Sequence, residues 1–96
     1  MTKTILAILK ALPGKEEDIA KYLKTIREHS PQESGCKSYK VHRNGAEFVC
    51  IEEYIDDAAI QAHHDNPGVK AFLGAVGSGQ PLLEGQPQLL GPFEEL

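Results

Sequence analysis

The sequence predicts a single α+β domain in the order β-α-β-β-α-β, with both helical layers on one side of an antiparallel four-stranded sheet. Three observations predict it. The chain opens on a segment apolar at both parities, a hairpin signal stands at Asn44-Gly45, and an amphipathic helical stretch lies on either side of that hairpin. Ninety-six residues make one domain, residues 1–96, and a chain of this size buries only about 60–65% of its unfolded surface.

Each element has its reason. In Thr4 to Leu12, Ile5, Leu9 and Ala11 line one face and Leu6, Ile8 and Leu12 the other, the pattern of a strand buried on both sides. Pro13-Gly14 stops it. Lys15 to His29 reads as a helix, with Gly14 as its cap and Glu16, Glu17 and Asp18 in a first turn where the dipole favours negative charge. Ile19, Leu23 and Ile26 form its apolar stripe, Tyr22 flanks it, and Ser30-Pro31 ends it. Taking Asn44-Gly45 as the turn pairs Arg43 with Ala46, Val41 with Phe48 and Tyr39 with Cys50. One face of the hairpin then carries Tyr39, Val41, Phe48, Cys50, Glu52 and Tyr54. The other carries Ser38, Lys40, His42, Glu47, Val49, Ile51 and Glu53.

Asp56 or Asp57 caps a short helix, Ala58 to His64. Asn66-Pro67 starts a further helical piece with Val69, Phe72, Leu73 and Val76 as its apolar face, stopped by Gly77. Residues 77–87 read as a loop, and Gln88-Leu89-Leu90 as a short edge strand between prolines. Right-handed crossovers put both helical layers on one side of the sheet, the ferredoxin-like arrangement. Helices cover only one face of strand 1, so a second sheet of the same kind is expected on the other, giving a two-fold homodimer.

Composition excludes several classes of function. The first 48 residues carry nine Lys/Arg against six Asp/Glu, and the remainder one against eight. With a net charge of −4 and no basic stripe with interleaved aromatics, nucleic acid is not an expected partner. No apolar run approaches the roughly 20 residues that span a bilayer, so no membrane is expected either. Met1-Thr2-Lys3 leads into patterned sequence without a cleavable signal, and the expected compartment is the cytoplasm. Cys36 and Cys50 form no CxxC pair and read as reduced thiols, Cys50 as a small buried hydrophobe. No nucleotide-binding, nucleophile-elbow or zinc-protease motif is present. His63 and His64 point about 100° apart on a helix and do not suit one metal ion.

One constellation remains: Glu52-x-Tyr54, with His63 nine residues after Tyr54. Pro13-Gly14-Lys15-Glu16-Glu17, Glu33-Ser34-Gly35-Cys36-Lys37-Ser38-Tyr39, Glu52-Glu53-Tyr54-Ile55-Asp56-Asp57-Ala58, Ala62-His63 and Asn66 to Phe72 together resemble the antibiotic biosynthesis monooxygenase family. The resemblance runs from residue 3 to about 76, and the last twenty residues match loosely. It implies a dimeric α/β barrel and a small cavity between sheet and helices for flat aromatic or small carbonyl substrates. Family members include cofactor-free anthrone and quinol oxygenases, haem-degrading enzymes and an isomerase that processes a quorum-sensing signal. Tyr54 stands where many members have tryptophan, strand 1 offers no asparagine, and no histidine lies between Val69 and Val76. The trio of the haem-degrading members is therefore missing, and haem degradation is set aside. Tyrosine at position 54 is closer to the isomerase.

The expectation is thus a cofactor-independent monooxygenase, with no cofactor and no metal, oxidising a small quinol-like or polyphenolic compound with dioxygen. Such chemistry needs a base to make an electron-rich anion, donors for the oxyanion and a dry pocket. His63 is the candidate acid/base and Glu52 its partner, as the catalytic pair. Tyr54, Tyr39 and Phe72 are the candidate substrate-binding residues. Two other readings stay open: an isomerase or tautomerase of a small carbonyl compound using the same base, and a non-catalytic dimeric ligand-binding module. The residues also have plainer uses, His63 as a brace against the sheet, Glu52 as an acceptor for backbone amides, Tyr54 and Phe72 as core.

Overall fold

In a computed structural model describing residues 2–96, the chain runs β1 (Lys3–Lys10), α1 (Glu16–His29), β2 (Cys36–Asn44), β3 (Glu47–Tyr54), α2 (Asp57–Ala62), α3 (Pro67–Gly77) and β4 (Gln88–Glu94). Single 3-10 turns, Ser30–Gln32 and His63–Asp65, follow α1 and α2. The sheet is antiparallel, in the order β2-β3-β1-β4. This is the ferredoxin-like α+β fold.

Alternation along the strands divides the sheet into two surfaces. Ala7 and Leu9 of β1, Phe48, Cys50, Glu52 and Tyr54 of β3, and Tyr39 of β2 are buried beneath the helices. From α1, Ile19, Ala20, Leu23 and Ile26 close onto them. On the other surface Leu6, Ile8, Val49, Ile51 and Leu90 are half-buried, and Phe93 is exposed.

The hairpin keeps its predicted faces but not its predicted register. Val41 stands opposite Cys50, Tyr39 opposite Glu52 and Arg43 opposite Phe48, because β2 continues through Asn44 and the turn is Gly45-Ala46. Gly45 has φ +61° and among the described residues no non-glycine has positive φ, so the glycine leads the turn, as in type II′. Arg43 then lies 5.3 Å above the Phe48 ring and 2.8 Å from Glu17 of α1. A shift of two residues leaves every side chain on its own surface, which is why the face assignment survives.

The helices differ from expectation at their ends. Lys15 precedes α1 without a side-chain cap, and Glu16 instead accepts the Gly14 N–H at 2.9 Å. Asp56 caps α2 by accepting the Ala59 N–H at 2.8 Å, and α2 stops at Ala62. In α3 the buried stripe is Val69, Phe72 and Ala75; Leu73 and Val76 face outward, one step around the helix from the α1 contact. At β4 the strand runs four residues further than predicted, past Gly91 and Pro92, where the pairing with β1 is irregular and the outer edge needs no donor.

Gly68 sets how closely α3 approaches α1. A Cβ built there would lie 2.7 Å from Ile26 N and 2.8 Å from Ile26 Cα. Gly74, on the same helix, has open space around it. Opposite outcomes follow in thermal or urea unfolding. Gly68→Ala forces the helices apart and destabilises by about 1–3 kcal/mol, whereas Gly74→Ala stabilises by about 0.4–1 kcal/mol through the unfolded chain. Equal effects at the two positions would contradict this packing.

Candidate functional site

Sheet and helices leave a cavity of about 230 Å³ between them. Its floor is Ile5, Ala7 and Leu9 of β1; Leu23 and Ile26 of α1 and Val69 and Phe72 of α3 form its walls. Polar groups gather where β3 meets the turn after α2: Glu52, Tyr54 and His63. The cavity reaches the surface past Leu73, Leu89 and His64, all exposed. A larger groove of about 570 Å³ lies between α1 and the segment 80–82, but Lys15, Asp18 and Lys21 line it as surface charges with no convergent group. The smaller, apolar cavity is the better candidate because its few polar groups converge.

Strand alternation delivers Glu52 and Tyr54 to this cavity from β3, two residues apart on the buried face. Tyr54 Oη donates to Glu52 Oε1 at 2.7 Å. Tyr39, opposite Glu52 on β2, stacks beside His63 with ring centroids 5.4 Å apart, and Tyr54 lies at 5.6 Å on another side of that ring. His63 enters from the 3-10 turn between α2 and α3. Four residues, 63–66, separate the two capped helices there, and the turn directs His63 inward and His64 outward. Phe72 reaches the same cavity from α3, its ring 5.4 Å from that of Tyr22. The five residues singled out in the sequence thus meet around one space.

The geometry also brings in two residues that periodicity does not reveal. Glu33, in the loop before β2, holds His63 Nδ1 at 2.9 and 3.0 Å from its two carboxylate oxygens. Asn66 Nδ2 donates to Glu33 Oε2 at 2.8 Å and to the Ile26 carbonyl at 3.1 Å, while its Oδ1 accepts the Gly68 N–H at 2.8 Å. Glu52 is the more distant carboxylate, its Oε1 3.7 Å from His63 Nε2. The Glu33-Ser34-Gly35-Cys36 motif is the one sequence signal that touches Glu33, and nothing in it points to His63.

Burial raises the Glu52 carboxyl above the ordinary carboxylate range, against the opposing pull of the Tyr54 hydrogen bond and of nearby His63. Burial likewise raises the phenols of Tyr39 and Tyr54, which stay protonated as donors. Both thiols are pushed up to about 11 by burial, so neither Cys36 nor Cys50 is a ready thiolate at neutral pH. Among the described residues no group of three or more His, Cys, Asp or Glu is placed to hold a metal ion, and no helix is long and apolar enough to cross a membrane.

The family model for antibiotic biosynthesis monooxygenase matches residues 4–75, three quarters of the chain and every residue that surrounds the polar end of the cavity. The chain belongs to the antibiotic biosynthesis monooxygenase family. Solved structures agree on the fold. Rv0793 from Mycobacterium tuberculosis superposes with a TM-score of 0.82 at 23% identity, over 99% of this chain and 98% of that one. PA3566 from Pseudomonas aeruginosa gives 0.78 at 26% identity, over 97% and 95%. NE2512 from Nitrosomonas europaea, a protein of unknown function, gives 0.77 at 27% identity, over 94% and 86%. No curated protein sequence matches the chain. Family membership supports a monooxygenase-like activity in the coarse sense and leaves the substrate to the chemistry of the cavity.

The raised Glu52 carboxyl has a consequence for stability in this family member. Below the ordinary carboxylate value of 4.5 the group is protonated in both the folded and the unfolded chain. As pH rises past that value the unfolded chain releases its proton first, so ionisable Glu52 costs the folded state stability. Glu52→Gln keeps an acceptor for Tyr54 and removes that penalty. Between about pH 4 and about pH 7 its melting temperature is expected to rise relative to the parent protein. A gap that narrows or reverses over the same range would contradict the assignment.

Proposed function

We propose that this protein is a cofactor-independent monooxygenase acting on a small quinol-like or polyphenolic aromatic compound inside this cavity. The observation that carries the reading is the convergence of a histidine, a buried carboxyl and a tyrosine at one end of an otherwise apolar, sheltered space. At about 230 Å³ the cavity is of a size for one or two fused aromatic rings. Phe72 and Tyr39 supply faces against which such rings stack.

In this reading His63 takes the proton of a substrate hydroxyl, leaving an electron-rich anion. Its Nε2 and Glu52 Oε1 stand 3.7 Å apart, beyond a direct hydrogen bond, and a hydroxyl seated beside both reaches each. The anion reduces dioxygen directly: one oxygen atom bonds to a ring carbon, the second leaves as water, and the substrate supplies all four electrons. A quinol and dioxygen thereby give a hydroxylated quinone and water. Apolar walls keep bulk water from the anion.

We also propose that a second copy of the chain covers the open sheet face, where Leu6, Ile8, Val49, Ile51, Leu90 and Phe93 form an apolar surface around β1. Tyr54, where many members have tryptophan, favours as a second reading an isomerase or tautomerase of a small carbonyl compound working through the same base.

Oxygen consumption with menadiol, a two-ring quinol, tests the first reading, with light scattering on the same samples. The expected result is uptake by the parent protein and a fall on the order of 10²–10⁴-fold in His63→Ala, with the scattering mass of both remaining twice that of the chain. Turnover of a hydroxyketone without oxygen uptake would support the isomerase instead. Ligand-induced thermal stabilisation with no turnover would indicate a binding module. Full activity in His63→Ala would remove His63 from the chemistry.

A further inference from the structure

Glu33 belongs to no strand or helix, yet its side chain is only 10% exposed, and that of His63 only 14%. Its two oxygens lie 2.9 and 3.0 Å from His63 Nδ1, and Oε2 also accepts the Asn66 amide at 2.8 Å. Asn66 cannot swing away, since its remaining bonds go to the Ile26 carbonyl and the Gly68 N–H. We propose that Glu33 is the positioning residue of His63, keeping the ring proton on Nδ1 and turning a bare Nε2 toward Glu52 and the cavity. The inference rests on the reading of His63 as the base.

The reason is a competition between two carboxylates for one ring. A neutral imidazole carries one N–H, and the partner of that N–H decides which nitrogen is left free as a base. Glu33 as a carboxylate only accepts, and it sits at hydrogen-bond distance. On the opposite side Glu52 stands 3.7 Å from Nε2 and already receives the Tyr54 hydroxyl. Tyr39 and Tyr54 contribute ring faces, and His64 is the next residue along the chain. Were Glu33 absent, Glu52 would be the remaining acceptor for a ring proton, on Nε2, and the base would be blocked from the cavity side. A base oriented by a third group is the arrangement that activates acid–base pairs in general.

Long-range ¹⁵N–¹H correlation spectra of the His63 ring, recorded without substrate at a pH where imidazole is neutral, read the tautomer directly. The parent protein is expected to show a protonated Nδ1 and a bare Nε2. Glu33→Ala, or Glu33→Gln should the alanine variant not fold, is expected to shift that balance toward Nε2–H. A parent protein with Nε2 protonated, or a folded Glu33→Ala with an unchanged ring spectrum, would overturn the proposal. In turnover, Glu33→Ala is expected to lower kcat about 10- to 100-fold with little change in KM, and to have no further effect in a His63→Ala background. A further loss there would show that Glu33 does not act through His63. If His63→Ala alone retains full turnover, the assignment of the base fails, and the ring spectra still decide whether Glu33 sets the tautomer.

Discussion

Asn66, only 3% exposed, makes three hydrogen bonds through its side chain, and each goes to a different part of the chain. Its carbonyl caps α3 through the Gly68 N–H; its amide binds the Ile26 carbonyl within α1 and the Glu33 carboxylate ahead of β2. Gly68, whose missing side chain lets the backbones meet, stands beside it in the same contact. A buried amide with all these partners satisfied contributes orientation as well as stability, because losing any one bond leaves a desolvated group behind at about 1–3 kcal/mol. The turn carrying His63 is suspended between this anchor and the Asp56 cap of α2. The position of the histidine follows from these two fixed ends.

The sheet provides the other half of the site, and it does so at some cost. Glu52 lies on the buried face of β3 between Cys50 and Tyr54, where an apolar residue would pack without penalty. The Tyr54 hydroxyl offsets part of its desolvation, and His63 a further part. A carboxyl retained under those conditions beside an aromatic-flanked histidine is more readily understood as chemistry than as architecture. The same strand meets the opposite problem on its other surface, where Val49 and Ile51 join Leu6 and Ile8 in an apolar field that the helices cannot reach. The two surfaces thus divide the labour proposed for the protein: one shelters the cavity, and the other is suited to a second subunit.

Much of this was legible in the sequence, for identifiable reasons. The double-faced apolar pattern of Thr4 to Leu12 marked a strand with two apolar faces, and period-two alternation put Glu52 and Tyr54 on the surface shared with Phe48. Asn44-Gly45 located the hairpin but not its register, since such a pair marks where a chain reverses and not which two residues form the turn. Leu73 and Val76 belong to the apolar face that helical spacing gives α3, but spacing does not say how far a packed stripe extends, and only tertiary contact narrows it to Val69, Phe72 and Ala75. Nothing in the sequence marks Glu33 as a site residue, for a stronger reason. It sits in an aperiodic loop thirty residues from His63, and their meeting depends on the crossing of α1 and on Asn66, which the sequence marks simply as a helix cap.

The proposed chemistry requires that a small aromatic ring meet His63 in the cavity beneath α1 and α3. A crystal structure of the protein with a hydroxynaphthoquinone product analogue tests it most directly. The ring is expected within the cavity against Phe72 and Tyr39, with an oxygen at hydrogen-bond distance from His63 Nε2. An analogue bound elsewhere, on the open sheet face or in the groove beside Lys15 and Lys21, with the cavity left empty, would contradict it.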